Sequence, residues 1–322
     1  MRARRASIQR AATIEQMGDI ALTDFRPLNE SKINIEGEYK MTANKFIDVL
    51  RKADEKGIAV GAVNIVNYLT ADAAVEAAQQ LGVNLIIQTS AGTVEHFGAK
   101  KLYAMVDGIR KNADIEVALH LDHCRDKELG KACVDAGWDA IMMDFSHLPF
   151  EENVAATREM AEYAHAHNVA IEGEIGVIFG VEENIESAEA VGAGFEETLE
   201  FIEKSNIDAV APAIGTAHGV YKGVPKLNFE LVERLGKEID TPIVIHGGSG
   251  LSAENFIKLI QLGGRKINIS TVVKNAYLNE IKKLSLSDEK LAPIPFDQKV
   301  KEAVTEEIKK HLAVFSGLKD SF

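Results

Sequence analysis

Eight short runs rich in aliphatic residues recur along this chain: IAVGAVN (58–64), VNLIIQT (83–89), IEVALHL (115–121), AIMMD (140–144), VAIEGEI (169–175), DAVAPAI (208–214), PIVIH (242–246) and KINIS (266–270). Longer stretches with apolar residues at helical spacing, such as ADAAVEAAQQLG and AENFIKLIQLGG, separate them and close on glycine. Strands buried on both faces need such near-continuous apolar runs, and strand–helix alternation gives parallel pairing with the helices outside. Eight such units predict a (β/α)8 TIM barrel. A doubly wound open sheet shares the local pattern, and periodicity alone does not exclude it. The polar residues favour the barrel. Asn64, Ser90, Asp122 with His123, Asp144, Glu172 with Glu174, His218, His246 and Asn268 fall at or just after the C-terminal ends of successive runs, and a closed barrel directs them all at one mouth.

Residues 1–40 read differently. MRARRASIQRAATI carries four arginines and no acid, and the polar and acidic stretch after it lacks clear periodicity. Acids reappear at Glu15 and Asp19, so the expectation is a disordered or loosely packed N-terminal extension over 1–40 rather than a targeting segment, with one barrel domain over 41–322. RRAS (4–7) also matches a short basic-directed phosphorylation pattern. The stretch VKEAVTEEIKKHLAVF (300–315) reads as an amphipathic helix able to pack on the barrel or on a neighbouring subunit.

Charge and cysteine usage narrow the partners. A formal net charge of −13 argues against a nucleic-acid backbone or an anionic membrane, and a phosphorylated ligand would need a local positive site. No apolar run reaches the roughly 18 residues that cross a bilayer, and no secretory h-region opens the chain, so a soluble cytoplasmic protein is expected. Cys124 and Cys133 are too few for a disulfide framework, which fits a reducing compartment.

His123, His218 and His246 each interrupt an apolar segment near its C-terminal edge, and three neutral imidazoles with an open fourth position are what a catalytic zinc ion takes. A lone histidine in such a place is more often structural, so it is the recurrence that carries the reading. Cys124 could add a thiolate, but the histidines already supply a set. Asp122 beside His123 suits proton transfer to an oxygen polarised by the metal, or alternatively the orientation of a histidine. Asp144 suits the orienting role, or a second cation.

Glu172 and Glu174 alternate along one strand and so face the same side, which is costly inside a barrel unless a metal or cation lies close. The glycines of GVIFGVEEN would let a loop fold over the mouth and bring in Glu182 as an acid or base, although Glu182 and Glu183 also fit a solvated turn. GGSG (247–250) and NIST (268–271) offer small donors at Gly247, Ser249, Asn268, Ser270 and Thr271, after the last two strands, where barrels often bind phosphate.

The runs HLDH, MMDFSHLPFEENV, IEGEIG, GTAHGVYKG, VIHGGSG and KINIST, in that order, resemble the class II metal-dependent ketose-bisphosphate aldolases over roughly residues 41–280. That family includes enzymes of fructose 1,6-bisphosphate and tagatose 1,6-bisphosphate. The resemblance implies a zinc-dependent (β/α)8 barrel of carbohydrate metabolism, a homodimer or homotetramer, that cleaves a ketose bisphosphate into dihydroxyacetone phosphate and an aldehyde. By motif it implies that His123, His218 and His246 hold zinc, with Glu174 close to the metal and Asp144 supporting it. Asp122 would be the acid toward the substrate hydroxyl, and Glu182 the base toward dihydroxyacetone phosphate. Gly219, Gly247, Ser249, Asn268 and Thr271 would hold the phosphate, with Na+ or K+ nearby, while Asn64 and Ser90 would contact substrate.

Departures from the family pattern cluster on the substrate side. Cys124 and Arg125 stand where many members have Gly-Ser, Phe179 where a second glycine is common, and Ser270 where other subfamilies have an acid, amide or alanine. Beyond Arg265 the chain has no arginine to meet a distal phosphate, which makes Arg125 and Lys222 the candidates for that charge. The second product, and hence the ketose, stays open at this point. A zinc hydrolase or sugar-phosphate epimerase could use the same residue types, and a non-catalytic sugar-phosphate sensor would be expected to lack a ligand or the proton-transfer acid, neither of which is missing.

Overall fold

In a parallel strand covered on both sides, successive side chains point alternately into the barrel and out toward the helices. The computed structural model, which describes residues 43–182, 185–187, 191–218, 226–287 and 290–322, follows this rule along eight parallel strands. They are β1 (Val60–Asn64), β2 (Leu85–Ser90), β3 (Val117–Cys124), β4 (Ala140–Met143), β5 (Ala170–Ile175), β8 (Ala209–Pro212), β10 (Ile243–Ile245) and β11 (Gly264–Ile269). They form a closed ring in the order β1-β11-β10-β8-β5-β4-β3-β2, sealed where Val60 lies opposite Lys266 and Ala62 opposite Asn268. Each of the eight predicted runs supplies one strand, so the barrel is the fold and the open sheet is excluded. The expected extension over 1–40 lies outside the described residues.

The inward residues change character along each strand. At the N-terminal end they are small or aliphatic: Ala62, Ile86, Ala118, Ala140, Met142, Ala170, Ala209, Ala211 and Val244 share one buried cluster. Two residues further on they are polar, as Ala62 gives way to Asn64, Ile86 to Gln88, Ala118 to His120 and Asp122, Ala170 to Glu172 and Glu174, and Val244 to His246. One alternation thus builds an apolar floor and a polar mouth.

Helix α1 (Lys45–Lys56) closes the floor. Its apolar stripe of Phe46, Val49, Leu50 and Ala53 has the i, i+3, i+4, i+7 spacing of one helical face, and it packs into the same cluster as the inward alanines. Burial of each large side chain there is worth about 1.5–3 kcal/mol. Asn44 caps the helix by accepting from the Phe46 and Ile47 N–H groups, and its amide donates to the carbonyls of Asp139 and Asn168. The cap therefore also fastens the plug to the loops beneath β4 and β5.

The C-terminal helix (Pro293–Phe315) packs on the barrel, burying Val300, Val304, Ile308, Leu312, Val314 and Phe315. Gly61 of β1 is glycine because any Cβ would run into the Leu312 side chain, and the Ala59 N–H donates to the Phe315 carbonyl at 3.0 Å. Among the described residues no helix is long and apolar enough to cross a membrane.

A second, three-stranded sheet joins β6 (Phe179–Glu182), β7 (Ile185–Ser187) and β9 (Ala217–His218). The GVIFGVEEN segment, expected as a loop, carries β6 of a hairpin with Glu182 opposite Ile185. β6 also runs parallel to β9, pairing Phe179 with Ala217 and Gly180 with His218. His218 thus stands on this accessory sheet, beyond the end of β8.

Candidate active site and metal centre

Asp122 and His123 are consecutive on β3, where regular geometry would send them to opposite faces. The pairing of β3 with β4 shifts register between Leu121 and Cys124, and His123 takes φ +42°, in the left-handed region. A non-glycine residue held there costs about 1–3 kcal/mol and tends to mark a functional site. The irregularity brings both side chains into one group with His246, its ligand atoms all within 4.8 Å of one another. Asp122, His123 and His246 are 1%, 4% and 2% exposed.

His123 Nε2 and His246 Nδ1 lie 2.8 Å apart, with the rings edge to face. The other nitrogen of His246, Nε2, meets Glu172 Oε1 at 2.7 Å. Burial would raise the Glu172 carboxyl, but the Lys266 ammonium at 2.9 Å, with His120 and His246, reverses the sign and holds it well below the usual carboxylate range. An ionised Glu172 can only accept, so Nε2 carries the imidazole proton and Nδ1 offers its lone pair toward the centre. Burial and the neighbouring His123 push His246 down to about 4, leaving it neutral, the form that binds metals.

Asp122 is gripped from both sides. Asn64 Nδ2 donates to Oδ2 at 2.8 Å and Asn268 Nδ2 to Oδ1 at 3.1 Å. Gln88 Nε2 holds the Asn64 carbonyl at 2.6 Å, and Lys266 Nζ holds that of Asn268 at 2.9 Å. Gln88, His120 and Lys266 were missed as site residues in the sequence. The available signal was register: each lies on the inward face, Lys266 two residues before Asn268 and His120 two before Asp122.

Behind His123, Asp144 Oδ2 and Glu174 Oε2 each stand 3.7 Å from Nδ1. Against the effect of burial, His123, Arg125 and Ser146 hold Asp144 far below its usual range; its Oδ1 accepts from the Ser146 N–H and hydroxyl, and its Oδ2 from Arg125 Nε and Nη2. Burial and the Asp144 charge push Glu174 up to about 8, and the Ser146 hydroxyl touches its Oε1 at 3.1 Å. Burial pushes the Cys124 thiol up to about 12, and Sγ donates to the Asp126 carbonyl, so it is a thiol rather than a thiolate ligand.

Of the expected phosphate group, Ser249 Oγ accepts from the Ser270 N–H at 3.3 Å. Thr271 begins a 15-residue helix (Thr271–Ser285) whose N-terminus adjoins them. Gly247 sits at φ +67° with the Ala217 backbone where a Cβ would be, which keeps β9 close to the end of β10. Ser90 is the N-cap of the short helix Ala91–Phe97. Gly219 and Lys222 lie outside the described residues, and of Glu182 and His218 only the backbone position is described.

Two imidazoles, the His246 ring neutral, and a carboxylate, buried and converging on a few ångströms, are a nitrogen and oxygen donor set that suits a divalent transition metal such as zinc. The comparisons agree with that chemistry. Residues 44–318 match the family model of the class II fructose-bisphosphate aldolases. A Staphylococcus aureus fructose-bisphosphate aldolase is 37% identical over 272 residues, which is 83% of this chain and 95% of that one. Among solved structures, a Coccidioides immitis protein assigned as a fructose-1,6-bisphosphate aldolase is 28% identical with a TM-score of 0.79, covering 85% of this chain and 96% of the other. An Escherichia coli K12 aldolase is 27% identical with a TM-score of 0.75, covering 84% and 96%. With nearly the whole barrel matched, this chain belongs to the class II fructose-bisphosphate aldolase family, a family of metal-dependent aldehyde-lyases.

Proposed function

We propose that the protein catalyses the reversible cleavage of fructose 1,6-bisphosphate into dihydroxyacetone phosphate and glyceraldehyde 3-phosphate, with one zinc ion per subunit held by His123, His218 and His246. The observation that carries this reading is the buried convergence of Asp122, His123 and His246 within 4.8 Å. When bound, zinc supplies Lewis-acid polarisation of the ketose carbonyl, so no lysine Schiff base is needed. Asp122, aimed by the Asn64 and Asn268 amides, takes the proton of the substrate C4 hydroxyl in cleavage and returns it in condensation. Glu182 handles the proton on carbon in the dihydroxyacetone phosphate half. Asp144 and Glu174 stand behind His123 and orient it.

The phosphate of that half is received by Gly219, Gly247, Ser249, Asn268, Ser270 and Thr271, where small donors adjoin a helix N-terminus. A monovalent cation, Na+ or K+, assists it there. Asn64 and Ser90 border the sugar, and Lys222 or Arg125 meets the distal phosphate. We place the enzyme in the cytoplasm, where its two buried cysteines stay reduced, as a homodimer or homotetramer acting on a small sugar bisphosphate rather than on nucleic acid or membrane. Residues 1–40 form an extension outside the barrel domain of 41–322.

A coupled assay for dihydroxyacetone phosphate release, run with and without EDTA and after zinc restoration, tests the reading. Release from fructose 1,6-bisphosphate that EDTA abolishes and zinc restores is expected. No release from that sugar, with release from tagatose 1,6-bisphosphate, would move the assignment to the second ketose. Release of inorganic phosphate without dihydroxyacetone phosphate would replace the lyase by a hydrolase.

A further inference from the structure

Beneath the metal centre lies a buried cation with no part in the chemistry above. Lys266 is fully buried inside the barrel, as are Glu172 and His120. Its ammonium gives one hydrogen bond to Asn268 Oδ1 at 2.9 Å and meets Glu172 Oε2 at 2.9 Å. Asn268 then donates to Asp122, while Glu172 engages His246 Nε2. Two chains therefore start at one ammonium, and they end on the two groups whose orientation matters most. His120 Nε2 stands 3.3 Å from the same Glu172 oxygen, its ring stacked on Phe46 of the floor helix.

An ion pair this deep is a poor choice for stability alone, since an apolar pair of similar volume is often as stabilising. What an apolar pair cannot do is fix a histidine tautomer or choose which way an amide faces. We propose that Lys266 is a positioning residue of the metal centre: through Glu172 it fixes the tautomer and orientation of His246, and through Asn268 it aims Asp122. The inference rests on the reading that His246 holds the metal. Without the ammonium, Glu172 would be a buried carboxylate lacking its main counter-charge, and Asn268 would lose the contact that keeps its NH2 group turned to Asp122.

The test uses full-length protein stripped of metal, with zinc affinity measured by chelator competition, the absorption spectrum of the Co2+-loaded form, and denaturant unfolding of each variant. Lys266→Met and Glu172→Gln should each weaken zinc binding about 10–100-fold and alter the cobalt bands, as loss of a group orienting a ligand does. The double variant Glu172→Gln/Lys266→Met removes both charges together and so leaves neither buried alone. It should regain unfolding stability over the singles while zinc affinity stays low and the cobalt bands stay altered. A double variant that binds zinc as tightly as wild type with the same cobalt spectrum would overturn the proposal and leave the pair a structural strut. Failure of the metal reading looks different: wild type would take up no stoichiometric zinc, or His246→Ala would bind it undiminished.

Discussion

The floor and the mouth of the barrel are built from the same strands by the same two-residue alternation, yet they do opposite work. At the floor, alanines on β3, β4, β5 and β8 leave room for Phe46, Val49 and Leu50 of α1. At the mouth, the next inward positions carry His120, Asp122, Glu172, Glu174, His246, Lys266 and Asn268, all buried. The floor gains free energy by excluding water from hydrocarbon, while the mouth spends some of it to hold desolvated charge. Stability and chemistry thus sit on successive rungs of one scaffold, and substitutions on the two rungs should separate cleanly.

The sharpest separation is expected at the metal. His246→Ala, like EDTA, should lower dihydroxyacetone phosphate release at least ~10³-fold, because several kcal/mol of transition-state stabilisation go with the ion. The metal-free variant should lose only the ~1–3 kcal/mol that goes with depriving buried Glu172 of its His246 partner, relative to metal-free wild type; a larger loss of stability would mean that mouth and floor are not separable. Asp122→Asn keeps the shape of the side chain and removes the proton chemistry proposed for it. A fall of ~10²–10⁴-fold in kcat with little change in KM is expected from steady-state kinetics, and a change confined to KM would move proton transfer elsewhere.

Leu50→Ala inverts the comparison, costing about 2–5 kcal/mol in equilibrium unfolding with zinc affinity of the folded protein unaltered. The smallest effect belongs to Ser249→Ala, where loss of one hydroxyl contact of about 0.5–1.5 kcal/mol should raise KM severalfold at constant kcat. A kcat effect there would mean that the hydroxyl proposed to meet phosphate also orders the reacting carbons.

Much of the mouth was legible in the sequence because polar residues at the ends of apolar runs have few other reasons to be there. Asp122, His123 and His246 fall together in space as the strand count implied. Lys266 was not legible. A lysine before INI reads as a strand edge in water, and only closure of the ring sets β11 across the interior from β5. The same closure answers the question raised by Glu172, whose expected cation turns out to be a side chain of the chain itself. The hairpin of β6 and β7 escaped notice because its strands are too short for periodicity to register, and the partner that makes β6 part of a sheet lies at Ala217–His218. The stripe of α1 has helical spacing, but nothing local says that it lies under a barrel rather than around one.

The bond from the Ala59 N–H to the Phe315 carbonyl, with Leu312 filling the notch at Gly61, joins the first barrel strand to the last helix. It makes the barrel a structure of high contact order, in which β1 meets its neighbour β11 and its outer cover only after about 200 or more further residues have been added. On the ribosome, β1 waits with one edge unpaired while some 200 residues are added, which takes roughly 10–40 s at ordinary elongation rates. The nascent chain is therefore most exposed to strand-edge aggregation before β11 emerges to seal that edge, and chaperone occupancy of stalled chains should fall at that length and not earlier.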